Sequence, residues 1–235
     1  MSVSVPPPSA LADTLLARLP VVFGAAADPE RAVTMRRYMK DVAPFLGLAQ
    51  PVRKERTREV LAGTPRPDAH DLTAVALRCW ELPEREYAYF AIDYLRRYRT
   101  RLTSAFLPVA RHLITSRAWW DTVDLLAVHT VGGLVAADPA LTADMDRWIG
   151  SDDIWLARTA LLHQLRRKET TDTGRLFAYC LRRAGDQEFF LRKAIGWSLR
   201  EYARTDPDAV RAFVADHRDV LAPLSVREAL RGPAR

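Results

Sequence analysis

Cysteine is scarce: Cys79 and Cys180 are the two in 235 residues, and neither lies in a CxxC or Cys/His pattern. A disulfide framework is thereby excluded and a reducing, intracellular setting is expected. The five histidines, His70, His112, His129, His163 and His217, are dispersed, and none pairs with another histidine or a cysteine at ligand spacing. No metal and no cofactor is expected. No apolar run approaches the roughly 18 residues of a membrane span, so no membrane partner is expected. The stretch from Met1 to Leu11 carries three consecutive prolines without a basic segment leading into an apolar one. It reads as a loose arm over residues 1–9 followed by a single domain over 10–235, not as a secretory signal. Period-two alternation is missing as well, and with it the pattern of a half-buried strand.

What remains is ordinary globular composition, 49% hydrophobic and 27% charged, with a net charge of +6 from 35 Lys plus Arg against 29 Asp plus Glu. Basic clusters recur at Arg96-Arg97 with Arg99 and Arg101, at Arg166-Arg167-Lys168, at Arg182-Arg183 and at Arg192-Lys193. Such clusters suit a polyanion, although solvated helix faces carry the same pattern.

Helical spacing and capping signals divide the chain. A helix is expected over Ala10 to Leu19, stopping before Pro20. Asp28-Pro29-Glu30 starts one that runs through Tyr38-Met39-Lys40, with Asp28 as the cap and Pro29 in the first turn. Further helices are expected over Pro51 to Leu61, Asp68 to Trp80, Pro83 to Arg97 and Arg101 to Ile114. Another starts at the Trp119-Trp120-Asp121-Thr122-Val123-Asp124 hexapeptide and continues through Val128, with Gly132-Gly133 near its end. Asp138-Pro139 caps a helix reaching Trp148, Ser151-Asp152-Asp153 one from Ile154 to about Arg167. Thr171 to Arg183, Gln187 to Tyr202, the stretch after Asp206-Pro207-Asp208, and Ser225 to Leu230 complete the set. Gly196 is the weak residue of its helix. The fold class is all-α, a solenoid of antiparallel helix pairs with a concave, basic face. Trp120, Trp155 and Trp197, 35 and 42 residues apart, mark successive pairs, although strict repeat identity is absent.

The hexapeptide is the stretch that points to chemistry. In a helix Trp120 and Asp124 share a face, and an indole beside a carboxylate attracts a flat or cationic group. Packing offers a plainer account, with a tryptophan in the core and Asp124 solvated or capping. Trp155 with Arg158, and Phe190 with Lys193, Trp197 and Arg200 or Glu201, form comparable stripes. If equivalent helices line one face, Trp120, Asp124, Arg158 and Trp197 converge on a cleft with one carboxylate and one guanidinium. Such a set suits cleavage of an N-glycosidic bond, where positive charge develops on the sugar and a water must be placed beneath it.

Tyr38-Met39-Lys40 with Pro44-Phe45-Leu46-Gly47, Trp119 to Asp124, Asp153 to Arg158 and Phe189 to Tyr202 together resemble the AlkD family of DNA glycosylases, HEAT-like repeat proteins that excise alkylated purines. The resemblance runs from about Arg36 to Leu230. It implies Asp124 as the catalytic carboxylate, Trp120 and Trp197 as the aromatic pair holding the deoxyribose, and Tyr38 as a third aromatic. Arg158 matches an arginine on the DNA backbone, and Arg166, Phe189, Phe190 and Arg200 fall at backbone or cleft positions. It further implies hydrolysis of cationic N3- or N7-alkylated purines in duplex DNA, in base excision repair, without base flipping and with tolerance of bulky adducts. Because a cationic base leaves readily, no general acid is needed. Arg166 stands where some relatives carry lysine, and no lysine is placed for Schiff-base chemistry, so a monofunctional, cytoplasmic, monomeric enzyme without an obligate protein partner is expected. The alternatives are a non-catalytic binder of damaged or branched DNA on the same scaffold, and a protein-interaction scaffold whose tryptophans are core.

Overall fold

Aspartate and proline set most of the helix starts in the structure, a computed structural model that describes residues 8–231. The arm expected over residues 1–9 lies largely outside the described residues. Helix α1 (Ala10–Gly24) begins at Ser9, whose hydroxyl accepts the Ala12 N–H. It passes straight through Pro20 instead of stopping before it. The ring removes one N–H, but Leu15, Leu19 and Phe23, fully buried along one stripe, hold the last turn in place despite that loss. Helix α2 (Pro29–Tyr38) starts at Asp28, which accepts the Arg31 N–H at 2.9 Å. It ends at Tyr38, two residues short of the expected Lys40, because Lys40 and Asp41 take left-handed backbone angles of 59° and 58°.

Next come α3 (Gln50–Val60), α4 (Ala69–Glu81) and α5 (Arg85–Arg97). Asp68 and Asp71 close a reciprocal capping box on α4. The helix expected from Arg101 instead starts at Leu107, after two short 3₁₀ turns, as α6 (Leu107–Thr115). Pro108 explains the shift: it suits a first helical turn and would break an interior one. Helix α7 (Trp120–Leu125) leads into a π-helical segment, Leu126–Val131, and on into α8 (Gly132–Ala137), beyond the expected stop. The rest of the chain is α9 (Thr142–Trp148), α10 (Ile154–Leu162), α11 (Thr173–Arg182), α12 (Phe189–Tyr202), α13 (Pro207–Asp216) and α14 (Pro223–Ala229). Helix α10 stops well before Arg167. The Gln164 side chain bonds both backbone groups of Asp172, and Arg166 and Lys168 turn left-handed at 71° and 51°. No strand occurs among the described residues, and the fold class is all-α, built of paired helices.

The chain divides into two compact units, one ending at Thr122 and the other beginning at Val123. In the first, α4 packs on α1, α5 and α6, and α1 also packs on α3. Its core combines Leu15, Leu19, Phe23, Leu72, Phe90, Leu95 and Leu113. Two buried polar clasps on α5 fasten a loop and the first turn of α7 to that core. Glu86 accepts the N–H groups of Leu46, Gly47 and Leu48 at 3.0, 2.8 and 3.1 Å. Gly47 sits at φ 88°, and a Cβ there would lie 2.0 Å from the Asp28 carbonyl oxygen. Arg85 grips Asp121 through Nε and Nη2 at 2.9 and 2.7 Å, and the Tyr89 hydroxyl donates to the same carboxylate at 2.6 Å.

In the second unit α12 is the central helix, packed against α10, α11, α13 and α14. Gly196, a weak helix former on propensity, is required by closeness: its Cβ would lie 2.4 Å from the Glu228 Cβ and 2.9 Å from the Ser225 carbonyl oxygen. The glycine thus buys the α12–α14 contact at a propensity cost of about 1 kcal/mol.

Candidate functional site

Asp153 caps α10 by accepting the N–H groups of Trp155 and Leu156 at 2.9 and 3.1 Å. That fixes Trp155 in the first turn and Arg158 one turn later. Arg158 is 3% exposed, and a guanidinium so buried costs several kcal/mol unless it is paired. Asp124, on α7, meets that need bidentately: Arg158 Nε donates to Oδ1 at 2.7 Å and Nη2 to Oδ2 at 2.8 Å. Arg158 Nη1 donates to the Phe190 carbonyl on α12. The Asp124 side chain keeps 15% of its surface open to solvent.

Aromatic rings enclose this ion pair. The Arg158 Cζ lies 5.7 Å from the Trp197 ring and 5.8 Å from that of Phe190, two turns apart on α12. Trp155 stands 5.0 Å from Phe190, and Phe189, 56% exposed, lies 5.5 Å from it. The Arg200 Cζ also lies near Trp197, 5.9 Å from the ring. Asp124, Arg158, Phe190, Trp197 and Arg200 are therefore one continuous cluster in the second unit, with Phe189 at its edge. Arg166 stands elsewhere in that unit, exposed, on the wall of a cavity of about 230 Å³ with Lys168, Tyr202 and Arg204.

The first unit contributes its own pair. Tyr38, 69% exposed at the end of α2, meets the half-buried Trp120 edge to face, with ring centroids 6.4 Å apart. Asp121, next to Trp120, has a structural partner in Arg85. Two carboxylates three residues apart thus hold two different buried arginines.

One member of the second-unit cluster has no signal in the sequence. Glu228 on α14 binds Lys193 at 3.0 Å and Arg200 at 3.0 Å. The hydrogen bond from Lys193 and the charges of Lys193, Arg200 and Arg231 hold its carboxyl below the usual range, against a smaller opposing effect of burial. A lone glutamate 28 residues beyond Arg200 offers no spacing that would link the two.

Among the described residues no group of three or more His, Cys, Asp or Glu side chains converges as metal ligands, and no single helix is long and apolar enough to cross a membrane. The site is a carboxylate and a guanidinium locked together under indole and phenyl faces, carried on paired helices. Such a site on such a scaffold defines a helical-repeat protein with an aromatic-walled carboxylate–guanidinium centre. Residues 21–232 match the profile of the family described as DNA alkylation repair enzyme, and the chain belongs to that family. It is similar to a solved structure of a protein named "predicted DNA alkylation repair enzyme" from Enterococcus faecalis, at 30% identity and a TM-score of 0.79, covering 89% of this chain and 97% of that one. No curated protein sequence matches it. Membership makes the chain an enzyme of DNA alkylation repair with DNA as its partner, and bears out the resemblance drawn from its motifs.

Proposed function

We propose that the protein is a monofunctional DNA glycosylase that hydrolyses the N-glycosidic bond of cationic N3- and N7-alkylated purines in duplex DNA. The observation that carries this reading is the bidentate Asp124–Arg158 pair, with the Arg158 Cζ 5.7 Å from the Trp197 ring. As the glycosidic C–N bond breaks, its electron pair leaves with the alkylated base and neutralises the charge there. Positive charge passes to the deoxyribose. The Asp124 carboxylate stabilises that charge and orients a water, which adds to the anomeric carbon and gives up a proton. Trp197 holds the sugar by stacking, with cation–π attraction of about 0.5–2 kcal/mol, and the family resemblance assigns Trp120 the same role.

Arg158 acts first as a positioning residue. Three of its N–H groups are spent on Asp124 and the Phe190 carbonyl, which aims the carboxylate before any substrate arrives. Phosphate contacts then fall mainly to the more exposed Arg166 and Arg200, with Tyr38, Phe189 and Phe190 against sugars and backbone. A reading of the lesion through backbone and sugar, without base flipping, follows from the family resemblance and agrees with half-exposed aromatic faces at the cluster; it leaves room for bulky adducts. Lys193 is engaged by Glu228 at 3.0 Å, which ties up its Nζ and supports water, not an amine, as the nucleophile. We place the protein in the cytoplasm as a monomer acting in base excision repair.

The test is release of free base from duplex DNA containing N7-methylguanine or N3-methyladenine, for wild type and Asp124→Asn together, with borohydride trapping in parallel. Release by wild type alone, with no trapped adduct, supports the proposal. DNA binding by both with release by neither, extended to a bulky adduct, would favour the non-catalytic binder.

A further inference from the structure

The first unit carries a second concentration of positive charge, away from the residues assigned above. Near the C-terminal ends of α3 and α5, a cavity of about 380 Å³ is lined by Lys54, Arg58, Arg96, Arg97 and Arg99. All five are exposed. The carboxylate on its wall, Asp93, is engaged by Arg53 at 3.5 Å. None of the five cations has an ion-pair partner among the described residues. Thr57 and Tyr94 also line the cavity, and the hydroxyl of each is buried with no hydrogen-bond partner among the described residues.

Helix dipoles account for part of this. A cation in the last turn of a helix is stabilised by about 0.3–1 kcal/mol, which would suffice for Arg58 on α3 and Arg96 or Arg97 on α5. It does not account for gathering five like charges from two helices and the following turn around one concavity. Their mutual repulsion opposes the compact state. An anion seated among them relieves that repulsion, and unpaired hydroxyls are donors for its oxygens.

We propose that this cavity is a phosphate-binding site of the first unit and that its occupant is a backbone phosphate of duplex DNA. The proposal rests on DNA as the partner of the family and is independent of the glycosylase chemistry. A phosphodiester and a free phosphate share the recognised chemistry, and the experiment separates them.

The test measures affinity for undamaged duplex DNA by fluorescence anisotropy across a salt series, for wild type, for Arg58→Gln/Arg96→Gln, and for Arg66→Gln/Arg111→Gln, which removes two exposed charges of the same unit outside the cavity. Each phosphate contact contributes about 0.9 to the slope of log affinity against log salt. The cavity variant is expected to flatten the slope by up to about 1.8, and the control to leave it near the wild-type value. An unchanged slope in the cavity variant, or an equal change in the control, overturns the proposal. In a second arm inorganic phosphate is compared with chloride at equal ionic strength for its effect on Tm. If phosphate stabilises wild type but not the cavity variant while the DNA slope is unchanged, the occupant is a free phosphate and the assignment to DNA fails. Because the readout is binding to undamaged DNA, an absence of base release would leave the test intact.

Discussion

Replacing Asp124 by asparagine separates charge from shape at the centre of the second-unit cluster. The amide keeps the volume and one oxygen, but its NH₂ faces an Arg158 N–H that donates to Asp124 at 2.7 or 2.8 Å in the native pair. One charge-assisted hydrogen bond is lost, worth roughly 1.5–3 kcal/mol. The native carboxylate is 15% exposed, so water can reach the site and the lower half of that range is expected. Catalysis should suffer more. A unit charge about 4 Å from a developing cation at an effective dielectric near 20 contributes about 4 kcal/mol, and Arg158 offsets part of it. A net loss of about 2–4 kcal/mol corresponds to a fall of roughly 30- to 1000-fold in the chemical step. The assay is single-turnover base release at saturating protein, with Tm and DNA affinity measured on the same preparation. On the proposed role, affinity should hold or improve, since the substitution removes a negative charge that would face the phosphates. A folded variant that binds DNA and releases base within threefold of the wild-type rate would refute the role given to the carboxylate.

Elsewhere the buried pairs and contacts make independent predictions. Arg85→Met strands Asp121, whose side chain is 4% exposed, and should cost about 3–5 kcal/mol in urea unfolding; a loss under 1 kcal/mol would show that the clasp is dispensable. Gly196→Ala gains helix propensity but drives a Cβ to 2.4 Å from the Glu228 Cβ, so a net destabilisation of about 1–3 kcal/mol is expected in thermal melts, and a rise in Tm would contradict the packing argument. Burial pushes the His163 imidazole from 6.5 down to about 4. Its folded pKa is the lower one, so its contribution is intact above pH 6.5 and declines as pH falls towards 4, by about 2 kcal/mol at pH 5. His163→Gln should flatten that part of the stability profile, and an unchanged profile would assign the pH dependence to other groups. Glu228→Gln frees Lys193 and Arg200 from their shared carboxylate; DNA affinity at low salt should rise and base release should slow as Arg200 loses its place on Trp197, whereas unchanged kinetics would confine Glu228 to holding α14.

The helix starts were legible because their cause is local. Asp28-Pro29, Asp68, Asp153 and Asp206-Pro207 each satisfy orphan N–H groups within three residues of themselves, and such signals need no tertiary context. Interruptions were less so. Pro20 inside α1 and Gly196 inside α12 read as weak points in isolation, but burial of Phe23 and the approach of Glu228 decide them, and those partners lie on other helices or on later turns. The site divides the same way. Its residue types and the family resemblance pointed to Trp120, Asp124, Arg158 and Trp197 together, while the environment of each side chain stayed hidden. Nothing in the order of Asp121 and Asp124 tells which one would be 4% exposed beside Arg85 and which 15% exposed beside Arg158. Three residues on a helix turn a side chain by about 300°, enough to send one carboxylate into a structural clasp with Arg85 and the other to a partly exposed pair with Arg158.

That division bears on how an arginine expected on the DNA backbone can be 3% exposed. A guanidinium offers five N–H groups in a rigid plane. Arg158 uses two on Asp124 and one on the Phe190 carbonyl, and its Cζ lies 5.7 and 5.8 Å from the ring centroids of Trp197 and Phe190. Lysine could keep the charge but not this geometry, since a single ammonium cannot hold both carboxylate oxygens in one plane and reach a carbonyl on another helix. The consequence is that Asp124 is oriented in the free protein, and DNA need not supply the energy to aim it. On the proposed reaction, a site arranged in this way stabilises positive charge wherever a sugar is brought to it, so discrimination between damaged and intact nucleotides rests on the base as a leaving group. The proposal therefore expects an alkylated, cationic purine to depart with the help of one carboxylate, and a neutral purine to stay.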